Sequence, residues 1–358
     1  MNLTKLQLTN FRNHPNLKIN LSPLTVIVGP NGVGKTNLLE ALTLLSTTRS
    51  SRTTREREVI LWGETVARIE AKLENAKKTT LALAISAEPK VQKTYFIDNK
   101  PRRALDILGF MPTVLFSPES QELISGPPSI RRQFLDILIC QTDHFYPKIL
   151  WQYHRVVKSR NRLLEKVNQN LAKPDELDFW DKELVELGGD IIRARQKTTT
   201  FLAHHITEAY QTILGKPNNL KVIYKPNILP ADFAKTLIAN RQKELFQTAT
   251  LYGPHRDDLL FFLHERPFIS HGSRGDSRSA VLALKMAELA YHEDQSQQQP
   301  LLLLDDVFSE LDESRREHLS HLITNQATII TTTDQDLLNP TLKKQARIIN
   351  LPLTDTKE

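Results

Sequence analysis

Eight consecutive residues near the N-terminus have the types and the spacing of a phosphate-binding loop. They read Gly-Pro-Asn-Gly-Val-Gly-Lys-Thr, which matches the pattern G-x-x-x-x-G-K-[ST]. In this pattern the glycines let successive backbone amides point into one concavity, and the helix that follows adds its positive end. The predicted nucleotide-binding residues are Gly29, Pro30, Asn31, Gly32, Val33, Gly34, Lys35 and Thr36.

The residues on either side supply the structural context that such a loop needs. Leu24–Val28 is a short apolar run that predicts a buried parallel strand, and Asn37–Leu45 predicts a helix without an internal breaker. The alternative is a glycine-rich turn that binds nothing. Such a turn would not require a strand directly before it, or a Lys-Thr pair and a helix directly after it. We therefore predict a nucleoside triphosphate site, with Lys35 as the catalytic contact to the β- and γ-phosphates and Thr36 as a Mg²⁺ ligand.

Two adjacent carboxylates late in the chain fit a second part of this site. The apolar run Leu301–Leu304 predicts a buried strand, and Asp305 and Asp306 follow it directly. Open α/β sheets bind their ligands at the carboxyl ends of the strands. An apolar strand that ends in carboxylates at this edge has the form of a Walker B segment. We predict that Asp305 holds Mg²⁺ through water and that Asp306 polarises the attacking water. The alternative is a strand that ends at a helix-capping aspartate.

The two halves of the predicted site are 270 positions apart, from Lys35 to Asp305. This separation is too large for a simple nucleotide-binding domain, so a large segment must be inserted between them. From residue 129 to about residue 214, proline and glycine are scarce and apolar residues recur at helical spacing. We predict an α/β protein with a first lobe at 1–125 that includes an antiparallel sheet, a helical lobe at 126–250, and the rest of the first lobe at 251–358.

A third glycine-containing loop lies between the halves. Ser273-Arg-Gly275 opens the predicted amphipathic helix Asp276–Tyr291. A Ser-x-Gly loop at a helix N-terminus is a potential anion site. On its own the signal is weak, because serine, glycine and aspartate are also common in helix caps and turns.

The order of these pieces resembles the ABC-type ATPases of the SMC class, and among them the RecF family of bacterial DNA repair proteins. The resemblance covers nearly the whole chain and includes blocks that are specific to this family. These blocks are Phe11–Asn13, Leu45–Thr53, Leu115–Glu119, Gly126–Asp136 and Gly253–Asp258.

The resemblance implies an ABC-type ATPase head with mixed parallel and antiparallel sheets, an inserted helical lobe, and ATP and Mg²⁺ as cofactors. Ser273 and Gly275 match the signature loop, which in such ATPases contacts the γ-phosphate bound by the opposite subunit. Because this chain has one phosphate-binding loop and one signature, a complete site needs two copies, head to tail in an isologous homodimer. Ser309–Asp312 matches the loop that follows Walker B at that interface.

Two positions depart from the family pattern. Asp276 stands where the family usually has glutamine, so it places a negative charge near a triphosphate. Unless Asp276 serves as a helix cap that points away, we expect it to weaken ATP-driven dimerisation. Thr48 stands where a glycine is common, which is a smaller departure.

A nucleic-acid partner is compatible with the formal net charge of +6, and the family binds double-stranded DNA at ends or gaps. Phosphate contacts require only positive charge on one face and carry no sequence information. For any single basic residue, a solvated helix face is an equally good interpretation. The residues that we predict to contact DNA are Arg49, Arg52, Arg155, Lys158 and Arg162, and the wider set adds Arg55, Arg57, Arg160, Lys166, Arg193, Arg195 and Lys197.

These observations lead to an ATP-dependent DNA-binding protein of recombinational repair with weak, DNA-stimulated ATPase activity. By family resemblance it acts with RecO and RecR to load RecA, and so supports replication restart and SOS induction. The alternatives are the ATPase subunit of an ABC transporter, which the absence of a switch histidine after Thr331 disfavours, and a structural SMC-like chromosome protein, which needs long heptad arms. A single cysteine, Cys140, and no run of 18 apolar residues predict a cytoplasmic protein without membrane association.

Overall fold

The computed structural model describes residues 2–74, 78–323 and 326–353. The first third of the chain consists mostly of strands, the middle mostly of helices, and the last third contains both. The strands are β1 (Asn2–Phe11), β2 (His14–Asn20), β3 (Leu24–Val28), β4 (Val66–Glu74), β5 (Lys78–Ser86), β6 (Gln92–Ile97), β7 (Lys100–Arg102), β8 (Thr113–Phe116), β9 (Leu220–Lys225), β10 (Asp258–Leu263), β11 (Arg266–Pro267), β12 (Leu301–Asp305), β13 (Thr328–Thr332) and β14 (Arg347–Asn350).

The α-helices range from single turns to one of 38 residues. In the described residues, no helix is both long and apolar enough to cross a membrane. The helices are α1 (Lys35–Thr47), α2 (Glu122–Ser125), α3 (Pro128–Thr142), α4 (Tyr146–Asn168), α5 (Leu177–Leu214), α6 (Phe233–Ala239), α7 (Arg241–Gln247), α8 (Phe268–His271), α9 (Arg274–Ser296), α10 (Val307–Glu310), α11 (Glu313–Ile323) and α12 (Pro340–Gln345).

The chain divides into two compact units, each formed from separate stretches of sequence. The first unit comprises residues 1–121, 209–217 and 274–358, and the second comprises residues 122–208 and 218–273. The predicted helical lobe at 126–250 lies mostly in the second unit, but its residues 209–217 belong to the first unit. Strand β10 pairs with β9 in antiparallel register, Leu259 opposite Tyr224, and these hydrogen bonds place residues 251–273 with the helices instead of with the C-terminal part of the first lobe.

The first unit contains two sheets. The sheet β14-β3-β13-β12-β8 is parallel throughout, and its inner strands β12 and β13 are buried at every position, as expected for parallel strands covered on both faces. The sheet β2-β1-β4-β5-β6-β7 is antiparallel. Along β4, buried residues alternate with more exposed ones, the pattern of a strand with one covered face. Helix α1 packs its leucines into the same core as β1 and β4.

The second unit is built mainly from α3, α4 and α5 with the small sheet β11-β10-β9. Its core lies between these helices and α6, and includes Tyr146, Tyr153, Leu184 and Phe233. Glycine is required at position 188 in α5, because a Cβ atom there would lie 2.7 Å from the ring of Phe233. The predicted combination of mixed sheets with a long helical region is confirmed.

Candidate nucleotide site

The phosphate-binding loop joins β3 to α1 in the first unit. Gly34 has φ +106°, a conformation that disfavours any residue with a Cβ atom. A Cβ atom at this position would also lie 2.4 Å from Nε2 of His14. Gly32 likewise has φ +82°. These conformations explain why the sequence has glycine at both positions. Helix α1 begins at Lys35, directly after the loop.

The side chain of Lys35 folds back over the loop. Its Nζ donates hydrogen bonds to the carbonyl oxygens of Gly29 (2.6 Å) and Pro30 (3.0 Å), and the residue is buried. Burial lowers the pKa of Lys35, while the negative charges of Asp306 and Asp305 oppose that shift. The loop therefore holds a desolvated ammonium group at the place where the sequence pattern predicts phosphate binding.

Thr36 and Asp305 are brought into direct contact. The Thr36 hydroxyl donates a hydrogen bond of 3.0 Å to Oδ1 of Asp305. The same oxygen accepts a hydrogen bond of 2.7 Å from Thr331, on the neighbouring strand β13. Burial raises the pKa of Asp305, and the hydrogen bonds from Thr331 and Thr36 act in the opposite direction. The two residues predicted to hold Mg²⁺ thus meet at the carboxyl edge of the parallel sheet.

Asp306 adopts a different conformation from its neighbour. It has φ +51°, and its amide donates to the Thr331 carbonyl oxygen at 3.0 Å. Its Oδ1 atom is buried and has no hydrogen-bond partner in the described part of the chain. A buried carboxylate oxygen without a donor is costly unless a ligand or water supplies one. This unsatisfied acceptor beside the loop fits a site that takes a water molecule and a nucleotide.

Residues of the turn between β1 and β2 also contact the loop, and the sequence analysis assigned them no role. Nε2 of His14 lies 3.1 Å from the Gly34 carbonyl oxygen, and Asn13 accepts a hydrogen bond of 2.8 Å from Asn37 of α1. Burial lowers the pKa of His14. The family-specific block Phe11–Asn13 was the available signal, but nothing local in it indicates a contact with residues about 20 positions later.

The basic segment that follows α1 is attached to the same helix. Arg52 donates to the side-chain oxygen of Asn37 at 3.0 Å. Ser50 donates to Glu40 at 2.5 Å, and Arg12 forms a bidentate ion pair with that carboxylate. Arg49 is exposed. The segment is therefore held against the first half of α1 through Asn37 and Glu40, and it presents Arg49 to solvent.

The signature residues lie at the start of α9. Ser273 is exposed and Gly275 is half-buried. The side chain of Asp276 accepts a hydrogen bond of 3.3 Å from the hydroxyl of Tyr210. The predicted effect of Asp276 on dimerisation stays a prediction, but its carboxylate has at least one donor within its own chain.

Arg315 links α9 to the loop after Walker B. Its Nε donates to the Ser279 hydroxyl at 2.8 Å, and its guanidinium also pairs with Asp312. Asp312 Oδ1 accepts from the Arg315 amide at 3.0 Å. One side chain thus connects the signature helix with the end of the segment Ser309–Asp312.

The basic residues predicted to contact DNA include exposed residues and buried ones. Arg155, Lys158 and Arg162 are exposed on α4. The wider set contained two errors, because Arg160 and Arg195 are buried. Arg160 donates to Asp181, Glu244 and Thr250, and the contacts of Arg195 include a bidentate ion pair with Asp136. Both arginines neutralise buried carboxylates and are not available to phosphates.

Sequence comparisons give consistent results over nearly the full length. A family model described as the RecF/RecN/SMC N terminal domain matches residues 2–351. The chain is 33% identical over 365 residues to the DNA replication and repair protein RecF of Bacillus cereus (strain AH820), covering 98% of this chain and 97% of the relative. The RecF protein of Bacillus thuringiensis (strain Al Hakam) matches at the same identity and coverage.

Structural comparisons agree with the sequence. The recombination mediator protein RecF in its ATP form, described as part of the RecFOR pathway, superposes with a TM-score of 0.88 at 29% identity, covering 94% of this chain and 93% of that one. Its ATPrS form gives a TM-score of 0.86 at 29% identity, covering 94% of each chain. An Smc head bound to the C-terminal winged-helix domain of ScpA gives 0.56 at 16% identity, covering 99% and 94%. The predicted fold class, an ABC-type ATPase head, is confirmed.

Proposed function

The chain belongs to the RecF/RecN/SMC family, and on that basis we propose that it is an ATP-dependent DNA-binding protein of recombinational repair. The observation that carries the proposal is the contact of Thr36 with Asp305 beside the glycine loop, which assembles the two parts of a nucleotide site. The full-length similarity to RecF proteins supplies the biological context.

ATP and Mg²⁺ fit the residues that surround the loop. Lys35 and the amides of the loop would hold the triphosphate, and Thr36 and Asp305 would hold the metal. Mg²⁺, when bound, neutralises charge on the β- and γ-phosphates. Asp306 would orient and deprotonate the attacking water, because its unsatisfied oxygen is an acceptor without a donor.

The second half of each site would come from a second copy of the chain. Ser273 is exposed, and in the dimer it would contact a nucleotide held by the partner subunit. ATP would then hold the two copies together in an isologous homodimer, and hydrolysis of ATP would separate the two copies. We infer weak, DNA-stimulated ATPase activity that works as a switch.

DNA would be the ligand of the dimer. Arg49, Arg52, Arg155, Lys158 and Arg162 remain our proposed phosphate contacts, and all five are exposed. By family resemblance, RecR and RecO are the proposed protein partners, and the outcome is RecA loading on gapped DNA in the cytoplasm, with replication restart and SOS induction as consequences. A transporter subunit and a structural chromosome protein are not favoured, because the full-length match is to RecF proteins.

A gel-shift experiment tests this function. Gapped and blunt duplexes of equal length are incubated with the protein at low salt, with and without ATP. We expect both to be retarded more strongly with ATP, and we expect Lys35→Ala to abolish the ATP effect. Absence of duplex binding at low salt would refute the proposed function.

A further inference from the structure

Helix α4 has two chemically distinct faces. One face is buried in the core of the second unit and includes Tyr146, Leu150, Tyr153 and Val156. At 3.6 residues per turn, the opposite face carries side chains spaced three or four positions apart. These exposed residues are Lys148, Trp151, Arg155, Lys158, Arg162 and Lys166, and we call them the basic face of α4.

The five cations of the basic face are not neutralised. None of them forms an ion pair within the residues that the structure describes, although exposed basic residues elsewhere do, for example Arg103 with Asp106 and Arg193 with Asp190. The only acidic residue on α4 is Glu165. From Lys148 to Lys166 the face extends about 27 Å at a rise of 1.5 Å per residue. That is a row of positive charge of the length needed to follow several consecutive phosphates.

A large aromatic ring interrupts this row. Trp151 is 53% exposed, and the Cζ atom of Arg155 lies 4.6 Å from the centroid of its ring. Phosphate contacts require only positive charge, so they do not account for an exposed indole in the middle of the cations. Aromatic rings next to a positively charged track are the usual stacking partners of unpaired bases. A guanidinium on the ring orients it and adds a cation–π contribution.

We propose that the basic face of α4 binds the junction between duplex and single-stranded DNA, with the cations on backbone phosphates and Trp151 stacked on an unpaired base. This rests on the proposed DNA-binding function and adds one residue to it, namely Trp151 as the contact to the unpaired strand at a gap. Every base has a ring face, so this contact depends on unpaired structure and not on sequence.

Tryptophan fluorescence tests the contact directly. The chain has three tryptophans, Trp62, Trp151 and Trp180, so the double variant Trp62→Phe/Trp180→Phe reports on Trp151 alone. This protein is titrated at low salt with a gapped duplex and with a blunt duplex of equal length. We expect strong quenching by the gapped duplex and little by the blunt duplex. Equal quenching by both, or no quenching by bound gapped DNA, would overturn the stacking proposal.

Affinity measurements on variants of the full chain provide the second test. Trp151→Ala should weaken binding to gapped DNA about tenfold and leave binding to the blunt duplex unchanged. Phe145→Ala is the matched control, because Phe145 is 78% exposed and precedes α4 outside the basic face. Lys158→Glu/Arg162→Glu should weaken binding to both DNAs.

The outcomes separate this inference from the proposed function. If the wild type binds both DNAs and Trp151→Ala weakens neither, DNA binding stands and the stacking role is refuted. If the wild type binds neither DNA, both proposals fail.

Discussion

The hydroxyl of Thr36 donates a hydrogen bond to the carboxylate of Asp305, although the two residues are 269 positions apart in the chain. The contact lies within the first unit, where β12 delivers Asp305 to the edge of the sheet next to the start of α1. Thr331 donates to the same oxygen. The two segments of the predicted nucleotide site are therefore brought together by the fold of one chain, and we propose that the signature loop of a second copy completes the site.

Substitution of Asp306 should slow ATP hydrolysis without preventing ATP-dependent dimerisation. Asp306→Asn removes the negative charge that we assign to water activation but keeps the size of the side chain. We expect ATP binding and ATP-dependent dimerisation to be retained, and ATP turnover to fall at least about a hundredfold, the usual range for loss of a general base. Steady-state phosphate release and sedimentation with ATP measure the two properties. Loss of dimerisation at normal ATP affinity would argue against this division of roles.

Arg315 should position the parts of the chain that act on a partner subunit. It bonds Ser279 of α9 and Asp312 after Walker B, so Arg315→Ala would release both elements from each other. We expect normal ATP binding, measured by calorimetry, and at least about tenfold weaker ATP-dependent dimerisation, since each lost charge-assisted hydrogen bond is worth roughly 1.5–3 kcal/mol before solvent exposure is considered.

Lys343→Ala is the matched control, because Lys343 also forms an ion pair on the same unit, with Asp336. A double-mutant cycle of Arg315→Ala with Ser279→Ala should show non-additive effects on dimerisation. Additive effects would mean that the Ser279–Arg315 hydrogen bond does not carry the coupling.

Some of this site could be predicted from local sequence, and the rest depends on contacts between distant residues. The glycine loop and the strand before Asp305 have short patterns that define their own geometry, so the sequence alone predicts Lys35, Thr36 and Asp305 as site residues. The role of Thr331 could not be, because it follows from the pairing of β13 with β12. Arg160 looked like a surface charge, since its partners Asp181 and Glu244 are brought to it only by the packed helices.

Thr48 offers a test of backbone strain. It ends α1 with φ +62°, a left-handed conformation that is unfavourable for a β-branched residue and natural for glycine. Thr48→Gly should therefore raise the free energy of unfolding by about 1 kcal/mol, with an increase in the urea midpoint. Thr54→Gly is the control, because Thr54 is exposed and does not have positive φ. If both variants lower the midpoint equally, the strain at Thr48 is negligible.

His292 should make the first unit sensitive to acid. It is fully buried on α9 and neither ring nitrogen has a hydrogen-bond partner in the described residues. Burial, with a smaller effect of the Lys285 charge, lowers the pKa of His292 to about 3. The unfolded chain takes up this proton below about pH 6.5 and the folded chain does not until about pH 3, so stability is lost as the pH falls through this window.

The expected loss is on the order of 1 kcal/mol per pH unit. Urea unfolding of the wild type and of His292→Leu at pH 7, 5.5 and 4.5 measures it, with His144→Leu as an exposed control. The His292→Leu variant should lose less stability towards low pH than the wild type. Parallel curves for these two proteins would show that His292 does not titrate on unfolding.

We propose that each nucleotide site combines the loop of one copy with the signature of another. Lys35→Ala should lose ATP binding, and Ser273→Ala should bind ATP but not dimerise. A mixed dimer of the two variants contains one complete site, formed by the loop of the Ser273→Ala copy and the signature of the Lys35→Ala copy.

Sedimentation velocity with ATP is the most direct measurement. We expect each variant alone to remain monomeric and an equimolar mixture of the two to recover a dimer. A Ser273→Ala protein that dimerises like the wild type, or a mixture that stays monomeric while both variants are folded and the wild type dimerises, would contradict this proposal.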